Sequence, residues 1–127
     1  MDSSFGWLLL LVLIVAIPLA WQLFEMRRAR RAEGQPAPEH VEVPHEGEAL
    51  FYFHSPLCGA CKSMTPDMRA WAEDDARIRV IDGSIKPALA RAFGVRITPT
   101  VIVVRDGVIA RVLLGAASRA RLERLLG

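Results

Sequence analysis

The chain has 127 residues, with 16 Lys plus Arg against 14 Asp plus Glu, a formal net charge of +2. So small an excess excludes nucleic-acid binding by bulk charge and polyanionic disorder alike. Two cysteines three positions apart exclude a disulfide-stapled scaffold and a structural zinc site of four thiolates in one chain, so no metal is expected and the chemistry must come from that pair.

From Phe5 to Phe24 run twenty residues without a charge, 17 of them apolar. As a helix rising 1.5 Å per residue they reach about 30 Å, the thickness of a bilayer core. The reading is one transmembrane helix, residues 5–24 meeting lipid after a four-residue tail. Trp7 and Trp21 lie near its ends, where amphipathic rings favour the headgroup zone. A cleaved signal peptide fits less well, because Met1-Asp2-Ser3-Ser4 carries no basic side chain and the run is overlong. Arg27, Arg28, Arg30 and Arg31 crowd the far flank, and the near flank has no Lys or Arg. That asymmetry places the rest of the chain on the cytoplasmic side, with a bacterial inner membrane as the expected setting and the periplasmic side as the alternative.

From Ala32 to Glu48 there are three prolines, two glycines and five glutamates with no Lys or Arg. Together with the arginine cluster this makes residues 25–48 a basic juxtamembrane segment and an acidic linker, expected to act as a tether. Val41 and Val43 allow at most a short edge strand before Pro44. His40 and His45 read as solvated and receive no role.

Residues 49–127 carry a regular pattern. Ala49 to His54 and Ile78 to Asp82 are short apolar runs suited to buried strands. Between them Met64, Met68 and Trp71 recur at helical spacing, and Pro66 is expected to kink that helix near its start. Ser84 is expected to cap a short helix through Phe93, which Gly94 ends in a left-handed conformation. Thr100 to Arg105 and Val108 to Leu114 form a hairpin about Asp106-Gly107. Ser118 starts a terminal helix with Leu122, Leu125 and Leu126 on its apolar face and Arg119, Arg121 and Arg124 on its solvated side. The expected fold is α/β, a mixed four-stranded sheet flanked by helices and preceded by one transmembrane helix.

Cys58-Gly59-Ala60-Cys61 falls at the turn after the first strand, on the edge of an α/β sheet where chemistry collects. Cys58 is expected at the helix N-cap, where unpaired amides and the helix dipole favour the thiolate and lower its pKa below the ordinary value. The small Gly59 and Ala60 leave that sulfur open to attack a substrate. Cys61, shielded in the first turn, is suited to resolving rather than attacking.

Cys58-Gly59-Ala60-Cys61-Lys62 with Pro66 resembles the active-site helix of the thioredoxin family. Phe93-Gly94-Val95-Arg96-Ile97-Thr98-Pro99-Thr100, then Arg105-Asp106-Gly107 and Gly115, resemble in order and spacing its segment leading into the final hairpin and helix. The resemblance covers nearly all of residues 49–127. It implies the thioredoxin fold, a cis peptide between Thr98 and Pro99, and a substrate-binding surface of Thr98, Pro99, Leu57, Gly59 and Ala60. It further implies no cofactor beyond the redox-active pair, a protein disulfide as substrate, a separate electron donor, and no nucleic acid.

Three departures stand out. Leu57 and Ala60 occupy places where the family usually has Trp and Pro. Tyr52 stands six positions before Cys58, where many thioredoxins bury an acid, and its phenol is a poor proton acceptor at neutral pH. His54, four residues before Cys58, is the other candidate proton relay beside Tyr52 provided that it faces the site; the competing reading is a structural histidine at a strand end. The family's N-terminal strand and helix are missing or merged into the tether, leaving an exposed sheet edge. The expected function is a membrane-anchored thiol-disulfide oxidoreductase that reduces protein disulfides, Cys58 attacking and Cys61 resolving. The alternatives are an extracytoplasmic factor for disulfide exchange or cytochrome maturation, and a non-catalytic thioredoxin-like binding module.

Overall fold

The computed structural model describes residues 2–127. Helix α1 (Ser3–Ala32) is continuous through Pro18, and residues 5–24 are exposed on every side. It is long and apolar enough to cross a membrane. Strand β1 (Glu48–His54) lies at the centre of the sheet, buried at every position after Glu48. It pairs in parallel with β2 (Ile78–Asp82) and antiparallel with β3 (Thr100–Arg105), which pairs with β4 (Val108–Leu114) in the order β2-β1-β3-β4.

Alternation along β1 sorts the core into two layers, because successive side chains point to opposite faces. Ala49, Phe51 and Phe53 pack with Ile102, Val104 and Phe93 on one face. Leu50 and Tyr52 pack with Met64, Met68, Trp71 and Leu122 on the other. Helix α2 (Cys61–Asp74) and helix α4 (Arg119–Glu123) supply the second layer, and helix α3 (Pro87–Ala92) the first. Ser118 caps α4, its hydroxyl accepting from the Arg121 amide at 3.3 Å. Asp106 (φ 51°) and Gly107 (φ 77°) turn the β3–β4 hairpin in the left-handed region that such a turn demands.

Two helix starts differ from the sequence expectation. The Ser84 amide and hydroxyl both bond to Asp82 Oδ1, at 2.8 and 2.6 Å, so Ser84 closes a turn off β2 and α3 begins at Pro87. A carboxylate two residues upstream offers the local backbone an alternative to the helix. Likewise α2 opens at Cys61 with Ala60 as its N-cap, placing Cys58 before the helix rather than at its cap. The Cys58 amide bonds to the Ser55 carbonyl and the Lys62 amide to the Gly59 carbonyl, both at 3.2 Å, so a pair of turns precedes the helix.

The expected loose tether is instead docked. The Gly34 amide bonds to the Ile109 carbonyl at 2.7 Å, the Ile109 amide to the Gln35 carbonyl at 2.9 Å, and the Ala37 amide to the Gly107 carbonyl at 2.8 Å. Val43 is buried and Ala37 packs against the same core layer, whereas Val41 is 95% exposed, and residues 41–43 form no edge strand. The composition is polar overall, but Ala37 and Val43 meet the core while two of the glutamates find cations, Glu42 pairing with Lys86 and Glu48 with Arg77 and Arg105. This docking covers the outer edge of β4. The outer edge of β2 carries no strand partner among the described residues.

Candidate functional site

The carboxyl ends of β1 and β2 and the first residue of β3 come together at one edge of the sheet, since His54 lies opposite Asp82 and Phe53 opposite Thr100. The loop leaving β1 delivers Cys58 half-exposed, and the first residue of α2 delivers Cys61 at 2% exposure. The two sulfurs are joined in a disulfide, with Cα atoms 5.3 Å apart. The Cys61 amide donates to Cys58 Sγ at 3.2 Å. The helix start thus directs an amide at the exposed sulfur even though Cys58 stands outside the helix, and a donor aimed at a sulfur favours its charged form.

A second loop completes the edge. The peptide bond between Thr98 and Pro99 is cis. Pro99 is buried, and its carbonyl accepts from the Gly115 amide at 2.9 Å. The Thr98 and Ser55 hydroxyls approach to 3.5 Å, linking this loop to the one that carries Cys58. Leu57 is 98% exposed and Ile97 42% exposed, so apolar surface stands open on both loops. Gly59 and Ala60 are also exposed, with open space where a Gly59 side chain would stand.

Beside the pair is a depression of 260 Å³ lined by His54, Cys58, Cys61, Lys62, Arg69 and Asp82 among others. His54 is buried at 7% exposure, its ring stacked on Tyr52 with centroids 5.5 Å apart. Burial lowers the His54 pKa below its ordinary value; the Asp82 carboxylate opposes that shift and the Arg69 cation adds to it. Tyr52 is fully buried, and its hydroxyl shares a 2.7 Å hydrogen bond with Thr65. Burial raises its pKa, against the smaller effects of Thr65 and Arg69, so the phenol stays protonated across the physiological range.

The structure therefore gathers Cys58, Cys61, His54 and the Thr98–Pro99 loop at one edge and sets Tyr52 one layer deeper. The sequence reading missed Asp82, Arg69 and Ser55. Asp82 was within reach, because a residue closing one parallel strand falls beside the residue closing its neighbour. Among the described residues no cluster of His, Cys, Asp and Glu could hold a metal ion.

The thioredoxin family model matches residues 38–127. A thioredoxin of Streptomyces clavuligerus is 31% identical over 81 residues, covering 62% of this chain and 76% of that protein. The bovine thioredoxin-related transmembrane protein 1 is 32% identical over 66 residues, covering 49% of this chain and 24% of that protein. Among solved structures, a point mutant of the thioredoxin from Halobacterium salinarum superposes with a TM-score of 0.59 at 25% identity, covering 75% of this chain and 88% of that one.

Proposed function

Because the chain belongs to the thioredoxin family, we propose that it is a membrane-anchored oxidoreductase that reduces protein disulfides through Cys58 and Cys61. The observation that carries the reading is the asymmetry of the pair: one sulfur half-exposed and facing an amide, the other at 2% exposure. In the reduced state the Cys58 thiolate attacks a substrate disulfide, one substrate sulfur leaves as a thiolate, and a mixed disulfide forms. Cys61, deprotonated, then attacks the Cys58 sulfur and releases the second substrate thiolate. Two electrons pass to the substrate and the pair closes into the bridge present here; a dithiol donor must reopen it.

His54 is the side chain we assign to accept the Cys61 proton, since it borders the same depression and its lowered pKa leaves it neutral near pH 7. Thr98, Pro99, Leu57, Gly59 and Ala60 form the rim that receives the substrate segment. Residues 5–24 hold the protein in the bilayer, and the arginines at 27, 28, 30 and 31 favour the cytoplasmic side for the domain, where dithiol pools are kept reduced.

Insulin disulfide reduction by the detergent-solubilised full chain tests the chemistry. Cys58→Ser is expected to abolish it, and an active Cys58→Ser protein overturns the proposal. Protease added outside cells whose outer envelope has been opened is expected to spare residues 32–127; their digestion places the domain on the other side.

A further inference from the structure

The docked segment fixes which end of the domain meets the membrane. Followed from Ala37 back toward the anchor, its contacts climb β4 in order. Ala37 bonds at Gly107, Gly34 and Gln35 at Ile109, and the Glu33 carboxylate accepts from the Val112 amide at 3.1 Å. From Ala32 back to Glu25, Ala32, Ala29, Arg28 and Glu25 line one cleft together with Leu114, Thr100 and residues 94–97. Glu25 is buried at 8% exposure and pairs with Arg28 at 3.8 Å and Arg96 at 3.4 Å. Because β4 runs antiparallel to β3, this climb leads to the edge where Thr98, Pro99 and Cys58 sit.

The uncharged run ends at Phe24, the residue before Glu25, and α1 is unbroken across that point. The hydrocarbon boundary therefore lies within a turn or so of Arg96, three residues before Pro99. Headgroups occupy a further 5–8 Å or so on each side of the hydrocarbon, so they stand level with the redox edge. A soluble domain of about 100 residues, with a radius of gyration of about 13 Å, does not fit between that edge and the bilayer. A segment emerging from the membrane beside α1 does, and the exposed Leu57 and Ile97 give it an apolar rim to lie against.

We propose that the redox pair faces the membrane surface, and that the disulfide it reduces is carried by a protein embedded in the same membrane, close to the hydrocarbon boundary. The inference rests on the exchange chemistry above for its substrate, and on the docking of α1 for its orientation.

Orientation is read without turnover, from the full chain in lipid nanodiscs. A fluorophore on Cys58 in the Cys61→Ser variant is expected to lose most of its emission to a headgroup spin-labelled phosphatidylcholine. The same fluorophore on Asp106→Cys, in a chain lacking both native cysteines and labelled at the opposite end of the sheet, is expected to keep most of its emission. Equal or reversed quenching overturns the proposal. Glu25→Arg, which sets like charge against Arg96, is expected to narrow the difference; an unchanged difference in that variant removes the docked helix as its cause.

Substrate class is read with two transmembrane peptides bearing the same disulfide loop, one directly at the membrane boundary and one on a long flexible linker. The short form is expected to be reduced about tenfold faster, as the fall of effective concentration with linker length predicts. Equal rates, or a faster long form, overturn the membrane-substrate assignment. Consumption of a small aromatic disulfide by the same full-length preparation reports the exchange chemistry alone, so its failure is distinct from a failure of orientation.

Discussion

His54 and Tyr52 lie on one face of β1, yet burial moves their pKa values in opposite directions because their charged forms differ. A histidine whose native pKa lies below its unfolded value takes up protons on unfolding, so stability is lost as pH falls through and below the ordinary 6.5. Urea unfolding between pH 5 and 7.5 is expected to show that loss, and His54→Phe, which keeps a ring to stack on Tyr52, to flatten it. The carboxylates held low, Asp82 by its Ser84 hydrogen bonds first and Glu48 by Arg105 and other partners against an opposing burial effect, lose their contribution only at more acid pH. Tyr52→Phe removes the partner of the Thr65 hydroxyl and is expected to cost about 1 kcal/mol, leaving the insulin reduction rate at pH 7 nearly unchanged because the proton path proposed above runs through His54. In the reduced protein iodoacetamide is expected to label Cys58 well before Cys61, followed by peptide mass, since only the first sulfur is half-exposed.

Strand boundaries were legible because a run such as Ala49–His54 or Thr100–Arg105 is apolar through its interior and gives way to polar or turn residues at its ends, and the structure keeps both within one residue of the expected ends. The end of α3 was legible for a similar reason. Gly94 sits at φ 73°, its amide bonding the Arg91 carbonyl and the Val95 amide the Ala90 carbonyl, both at 2.9 Å, which is the paired closure a left-handed terminal residue permits. Gly94→Ala is expected to destabilise the fold by about 1 kcal/mol through backbone strain, read from the urea midpoint at unchanged slope. The start of α3 was not legible, because Ser84 in isolation has the chemistry of a cap and only the position of Asp82 turns it to other use. The cysteine spacing marked the site, whereas the depression beside it depends on β1 and β2 ending in register.

For the whole molecule, the folded unit extends beyond the residues whose pattern announces it. Glu25 reads in sequence as one more flanking charge, and its cation Arg96 stands 71 residues away, so spacing does not reveal the pair. Val43 and Ala37 are isolated apolar residues in a polar stretch, and a composition window averages them out. A fragment of residues 49–127 is therefore expected to unfold at a lower temperature, and to bind more of an apolar dye, than one of residues 25–127.

The sheet also has two unlike borders. One is sealed by residues 34–37 lying along β4, while the other, β2, is short and displays the charged Arg79 outward. Unsatisfied amides and carbonyls along such a border invite a stranger's backbone, and a brief strand with a cation on it is how soluble proteins discourage the visit. Strand-to-strand association has one open border among the described residues, so replacing Arg79 by Val is expected to raise light scattering with concentration, where the same change at Arg111 on the sealed side leaves it flat.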